Sequence, residues 1–123
     1  MIKWFEKHNK FSCGVTILIG AVIFYLSSKT FEPGTAGTNL ISMIYHICAF
    51  FFFAFFLSIS LVGGKKKLFL VLAFALSVIY GISDEFHQFF VPGRCTSLFD
   101  VFLDSVGIVF AIMVYLIFIE ARE

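Results

Sequence analysis

Asp84, Glu85, His87, Gln88, Arg94, Asp100 and Asp104 could each bind a ligand or move a proton, and all lie in the one stretch DEFHQFFVPGRCTSLFDVFLD. The remainder of the chain offers little of this kind. Its composition is 60% hydrophobic and 14% charged, yet four of its eight acids are concentrated here. A carboxylate placed in hydrocarbon costs roughly 2.5 to 3.5 kcal/mol, so four uncompensated ones would cost on the order of 10 kcal/mol. That equals the whole stability of a small domain. These groups must therefore face one another, water or a bound cation, and the stretch reads as a site. Carboxylates with an imidazole nearby can hold a divalent cation, or share protons and act as general acid and base.

The elements that position these residues are membrane spans. Of the 123 residues 20% are aromatic, including 19 Phe, and mean hydropathy is +1.00, which excludes a soluble globular domain. A bilayer core of about 30 Å needs about 20 apolar helical residues. Four stretches qualify, at about 11–28, 41–62, 68–90 and 98–119. No alternating strand pattern is present, and in lipid every backbone polar group must be paired within its own helix or a closed barrel. The expected fold is an all-α, four-helix membrane bundle forming a single domain over 1–123. Lys3, Lys7 and Lys10 ahead of an apolar run resemble a secretory signal, but Ser27-Ser28-Lys29 offers no small-x-small cleavage site, so a retained first span is expected. Cys13, Cys48 and Cys95 follow no metal or disulfide spacing.

Charge sets the orientation. With the N-terminus inside, Lys3, Lys7, Lys10, Lys65, Lys66, Lys67 and Arg122 are cytoplasmic, and only Lys29 and Arg94 are outside. Both termini are then cytoplasmic in a cell-membrane protein, with Trp4 and Phe5 in an interfacial segment. The net charge of +1 gives no reason to expect a nucleic-acid partner; the bilayer is the partner implied.

This topology brings polar groups from every span to the outer end. Ser27 and Ser28 close the first, His46 lies near the start of the second, Asp84 to Gln88 finish the third, and Asp100 and Asp104 begin the fourth. Ser77, Gly81, Asp84 and Gln88 form one helical stripe, as do Asp100, Asp104, Gly107 and Ala111, and the two stripes are expected to pack together. Glu85 is one residue off its stripe and either joins the site or is solvated at the helix end. Ser42, His46, Ala49 and Phe53 share a face of the second span, and the run Phe50 to Phe56 around it is apolar on every side, as lipid contact requires. Val91-Pro92-Gly93-Arg94 has the composition of a tight turn with φ > 0 at Gly93, holding Arg94 above the acids. Thr96 or Ser97 is the expected N-cap of the fourth span. Loop 29–40 could cover the site.

Two chemistries stay open. In one, Asp84, Asp100 and Asp104 hold a divalent cation, with Glu85, His46 or His87 completing an oxygen and imidazole shell. In the other, Arg94 pairs with an acid, crowded carboxylates share a proton, and Asp84, Glu85, His46 and Asp104 supply acid and base.

The motif DEFHQFFVPGR followed by LFDVFLDSVG resembles the VanZ-like family of small bacterial membrane proteins, named for a teicoplanin-resistance protein. The match is carried by Asp84, Glu85, Gln88, Pro92, Gly93, Arg94 and Asp100, with weaker correspondence at Ser27, Ser28 and His46. Asp104 departs from the family pattern, which favours Asn there. The resemblance implies a bacterial cell-envelope protein, in some members linked to reduced glycopeptide susceptibility, that is, to antibiotic resistance. Three functions follow as expectations. The site acts by hydrolysis or transfer on an envelope-lipid headgroup, with Gln88, Arg94, Asp100, Ser27 and Ser28 holding the ligand. Alternatively it binds a lipid-linked ligand or lipoglycopeptide without chemistry, or it joins the bundle to a partner subunit.

Overall fold

The computed structural model describes residues 1–29, 40–93 and 96–123. The expectations attached to Arg94, to Cys95 and to a covering loop at 30–39 therefore lie outside the described residues. The described residues form five α-helices and no strand: α1 Ile2–Lys7, α2 Asn9–Ser27, α3 Leu40–Val62, α4 Phe69–Phe89 and α5 Leu98–Glu120. The last four are long and apolar enough to cross a membrane. The expected all-α, four-span bundle is thus what the chain forms, with the first span starting slightly earlier and the others within a residue or so of their expected limits.

The helix ends have local causes. The chain breaks between α1 and α2 at His8, and leaves α3 through Gly63 and Gly64, whose φ values of 56 and 73° suit residues without a Cβ. At the other end Gly93 takes φ 79°, as its turn composition requires. Ser97 caps α5, its hydroxyl accepting from the Phe99 N–H at 3.1 Å.

α3 is the centre of the bundle and touches every other helix, whereas α2 and α5 do not meet. This corrects two expectations. The Phe run of α3 is only partly turned to lipid: Phe52 is exposed, but Phe50, Phe53 and Ala54 are buried in a core shared with Ile23, Ile108 and Ala111. The small-residue stripe of α5 also divides its contacts. A Cβ on Gly107 would overlap the Ile47 carbonyl oxygen of α3, so Gly107 serves the α3–α5 contact, while on α4 Gly81 makes room for the Phe50 ring and the Asp104 side chain. Large apolar residues such as Ile17, Val71, Phe102 and Phe110 point outward, as hydrocarbon surroundings require.

α2 and α4 finish where α3 and α5 begin, and this is the site end. The opposite, basic end carries Lys65, Lys66, Lys67 and Arg122. There Glu6 of α1 binds Arg122 through two hydrogen bonds of 2.6 and 2.7 Å, and also accepts from the Tyr115 hydroxyl at 2.7 Å. The Arg122 guanidinium holds the Glu6 carboxyl below its usual range, with Tyr115 adding to the effect against burial.

Candidate functional site

Each long helix contributes a side chain to the site end, and helical rotation determines where it goes. Successive residues on a helix are turned by about 100°, so Asp84 and Glu85 leave α4 in different directions. Asp84 faces α2, where it accepts hydrogen bonds from Ser27 Oγ and, at 3.2 Å, from Gln88 Nε2. Gln88 Nε2 also donates to Ser27 Oγ at 3.3 Å, and the Ser27 hydroxyl, with one proton to give, stands 2.8 Å from the Ile23 carbonyl as well as beside Asp84. Ser27, Asp84 and Gln88 are all buried. One position further out, Ser28 Oγ and His87 Nε2 lie 2.9 Å apart, and the His87 ring stacks on Phe24. Ser28 is exposed and His87 half-buried, and the pair frames the buried group.

The second group is centred on His46. Its Nδ1 is 2.7 Å from Asp104 Oδ1, and its Nε2 is 3.8 Å from Asp100 Oδ2. An ionised Asp104 fixes a proton on Nδ1 and leaves Nε2 to take or give the second one, the arrangement in which a carboxylate orients a histidine base. Glu85 approaches from α4, its Oε2 accepting the Ser97 backbone N–H at 3.2 Å. It is 6% exposed, which favours its reading as a site residue over that of a solvated helix-end acid. Turning away from the Asp84 stripe carries it into the bundle, toward the start of α5.

Burial without full hydrogen bonding distinguishes this group. Among the described residues Glu85 Oε1, Asp100 Oδ1 and Asp104 Oδ2 are buried oxygens with no hydrogen-bond partner. Asp104 is 1% exposed. Such oxygens cost a few kcal/mol each unless a proton or a cation meets them. One donor atom each from His46, Glu85 and Asp104 lies within 4.8 Å of the other two. Of the acids expected to share a cation, Asp104 belongs to this set, Asp84 turns to Ser27 and Gln88, and Asp100 stands at the outer edge beside His46 Nε2.

An apolar groove of about 450 Å³ lies between α2 and α3, lined by Leu18, Val22, Ile23, Tyr45, Cys48 and Phe52, among others. Ile23 is one helical turn from Ser27, and Tyr45 precedes His46 in the chain, so the groove lies beside the site along α2 and α3 without being lined by its polar residues. Sequence reasoning did not find it. An apolar residue lining a groove carries the same hydropathy signal as one facing lipid, and only the packing of α2 on α3 separates the two.

Comparison with known proteins adds one finding. The family model described as VanZ/LLP1 matches residues 11–119, a stretch that contains every residue of the site. No curated protein and no solved structure matches the chain.

Proposed function

The chain belongs to the VanZ/LLP1 family, and on that premise we propose that it takes an amphiphile from the outer leaflet of a bacterial cell membrane and acts on its headgroup. The hydrocarbon part occupies the α2–α3 groove and the headgroup meets the polar cluster. The observation that carries this reading is proximity along α2: the apolar groove is lined by Ile23, one helical turn from Ser27, whose hydroxyl bonds the buried Asp84. A volume of about 450 Å³ is within the usual range for ligand sites. In this reading the positive-inside charge pattern places the site outside and both termini in the cytoplasm.

The reaction is hydrolysis or transfer at the headgroup ester. His46 Nε2 takes a proton from water or an acceptor alcohol as its oxygen bonds to the ester centre, and the ester bond breaks toward the lipid. The proton then goes to the departing oxygen, and Asp104 keeps the ring in place throughout. Ser27, Ser28, Gln88, Asp100 and Arg94 hold the headgroup, the planar guanidinium suiting a phosphate or carboxylate.

The test uses the purified protein in vesicles of bacterial envelope lipid or lipid-linked precursor, with headgroup release followed by mass spectrometry. Cys48 is exposed and lines the groove, so Cys48→Trp should obstruct the tail and raise the apparent KM. His46→Asn should lower kcat by about 100-fold or more. Saturable lipid binding without turnover would support a binding protein, and absence of both would end the lipid reading.

A further inference from the structure

We propose that His46, Glu85 and Asp104 form a site for a single divalent transition-metal ion, of which Zn²⁺ is the best-suited probe. Three separate helices, α3, α4 and α5, each supply one donor, and the donors already lie within 4.8 Å of one another. Donors bound at about 2.0 to 2.2 Å around a tetrahedral ion stand about 3.3 to 3.6 Å apart, so closing on the ion from separations of up to 4.8 Å requires movements of about 1 Å. Rotation about side-chain torsions supplies that.

The second observation is independent of the clustering. Glu85 and Asp104 each hold one oxygen in a hydrogen bond, to the Ser97 N–H and to His46, and keep the other buried and without a hydrogen-bond partner among the described residues. The first bond orients the carboxylate, and the second oxygen has electron pairs to offer. Metal ligands are commonly fixed by outer hydrogen bonds in this way. A dication would also meet the charge requirement, since two ionised carboxylates in a dry interior need about two positive charges nearby.

Donor chemistry selects the ion. Mg²⁺ and Ca²⁺ favour all-oxygen shells, while an imidazole with two carboxylates suits Zn²⁺ or Mn²⁺. Three protein ligands leave a position open, as in hydrolytic zinc sites; the ion would be bound whether or not the protein acts on lipid, and with His46 as its ligand the proton-transfer role given to that ring above belongs to the metal-free chain. Failure of the lipid reading and failure of this one are therefore distinguishable.

The experiment is titration of the full chain, purified in detergent without a polyhistidine tag and stripped with chelator, with Zn²⁺, Mn²⁺ and Mg²⁺. Calorimetry and elemental analysis give affinity and stoichiometry. One Zn²⁺ per chain is expected, binding more tightly than Mg²⁺ and raising the unfolding midpoint as free Zn²⁺ increases. Glu85→Gln and His46→Ala should each weaken binding at least 10-fold, and Glu120→Gln at the basic end should not. Absence of stoichiometric Zn²⁺ binding by the wild-type chain overturns the proposal even if the variants fail to fold. Binding unchanged in both site variants overturns it as well.

Discussion

The two ends of the bundle treat charge in opposite ways. At the basic end each acid meets a base: Glu6 meets Arg122, while Glu120 and Glu123 both meet Lys67 at 2.6 and 2.7 Å. The Glu120 and Glu123 side chains are 55 and 59% exposed, so water shares the work and the pairs contribute little to stability. At the site end Asp84, Glu85, Asp100 and Asp104 are all buried, and their described hydrogen-bond and ion-pair partners are hydroxyl, amide, backbone N–H and imidazole. A folded chain gains nothing in stability from burying carboxylate oxygens, such as those of Glu85, Asp100 and Asp104, that no donor among the described residues reaches. The basic end has the arrangement expected of a structural fastening, and the site end has one that function must explain.

The sharpest structural challenge to this contrast is made between the ends. Gly107→Ala would push a Cβ against the Ile47 carbonyl of α3, a backbone atom that cannot rotate aside. It should destabilise the protein by about 3 kcal/mol, read as a lower unfolding midpoint in detergent. A tolerated alanine would mean that α3 and α5 are less closely held than the account requires, and both ends depend on that contact.

A smaller effect is expected from Glu6→Gln, which leaves Arg122 without its carboxylate. The loss should be about 1 kcal/mol, since Arg122 is partly solvated. The sign of its pH dependence follows from the direction of the shift. The Glu6 carboxyl is held below its ordinary value of 4.5, chiefly by the Arg122 hydrogen bond, so its contribution is fully present above that value and disappears as pH falls through the lowered one. Wild type should therefore lose stability relative to Glu6→Gln on acidification below about pH 4.5. Parallel curves would remove Glu6 from the fastening, and with it one side of the contrast.

Much of this architecture is legible without coordinates because a bilayer admits few solutions. Four apolar stretches had to be helices, and polar groups at matching depths had to meet. The stripe rule also anticipated that His46 and Asp104 would be inside. It left Glu85 open between solvent and the site, because one residue of rotation off a stripe does not show whether a side chain meets water or the interior beside α5. It failed for Gly107, because a small-residue stripe shows that a neighbour comes close without showing which one. The Glu6–Tyr115–Arg122 fastening had no signal at all: residues more than a hundred positions apart are brought together by the turn at His8 and the packing of α1 against α3.

Asp104→Asn tests the central claim most directly, because asparagine keeps the shape and hydrogen-bonding reach of the side chain and removes its ionisable oxygen. Headgroup turnover and the unfolding midpoint should be measured on the same lipid-reconstituted sample. The contrast between the ends predicts turnover reduced by about 100-fold or more with the midpoint unchanged or raised, since a buried acid has been removed. A midpoint several degrees lower, with turnover per folded molecule retained, would make the cluster a fastening like the one at the opposite end and would contradict the account.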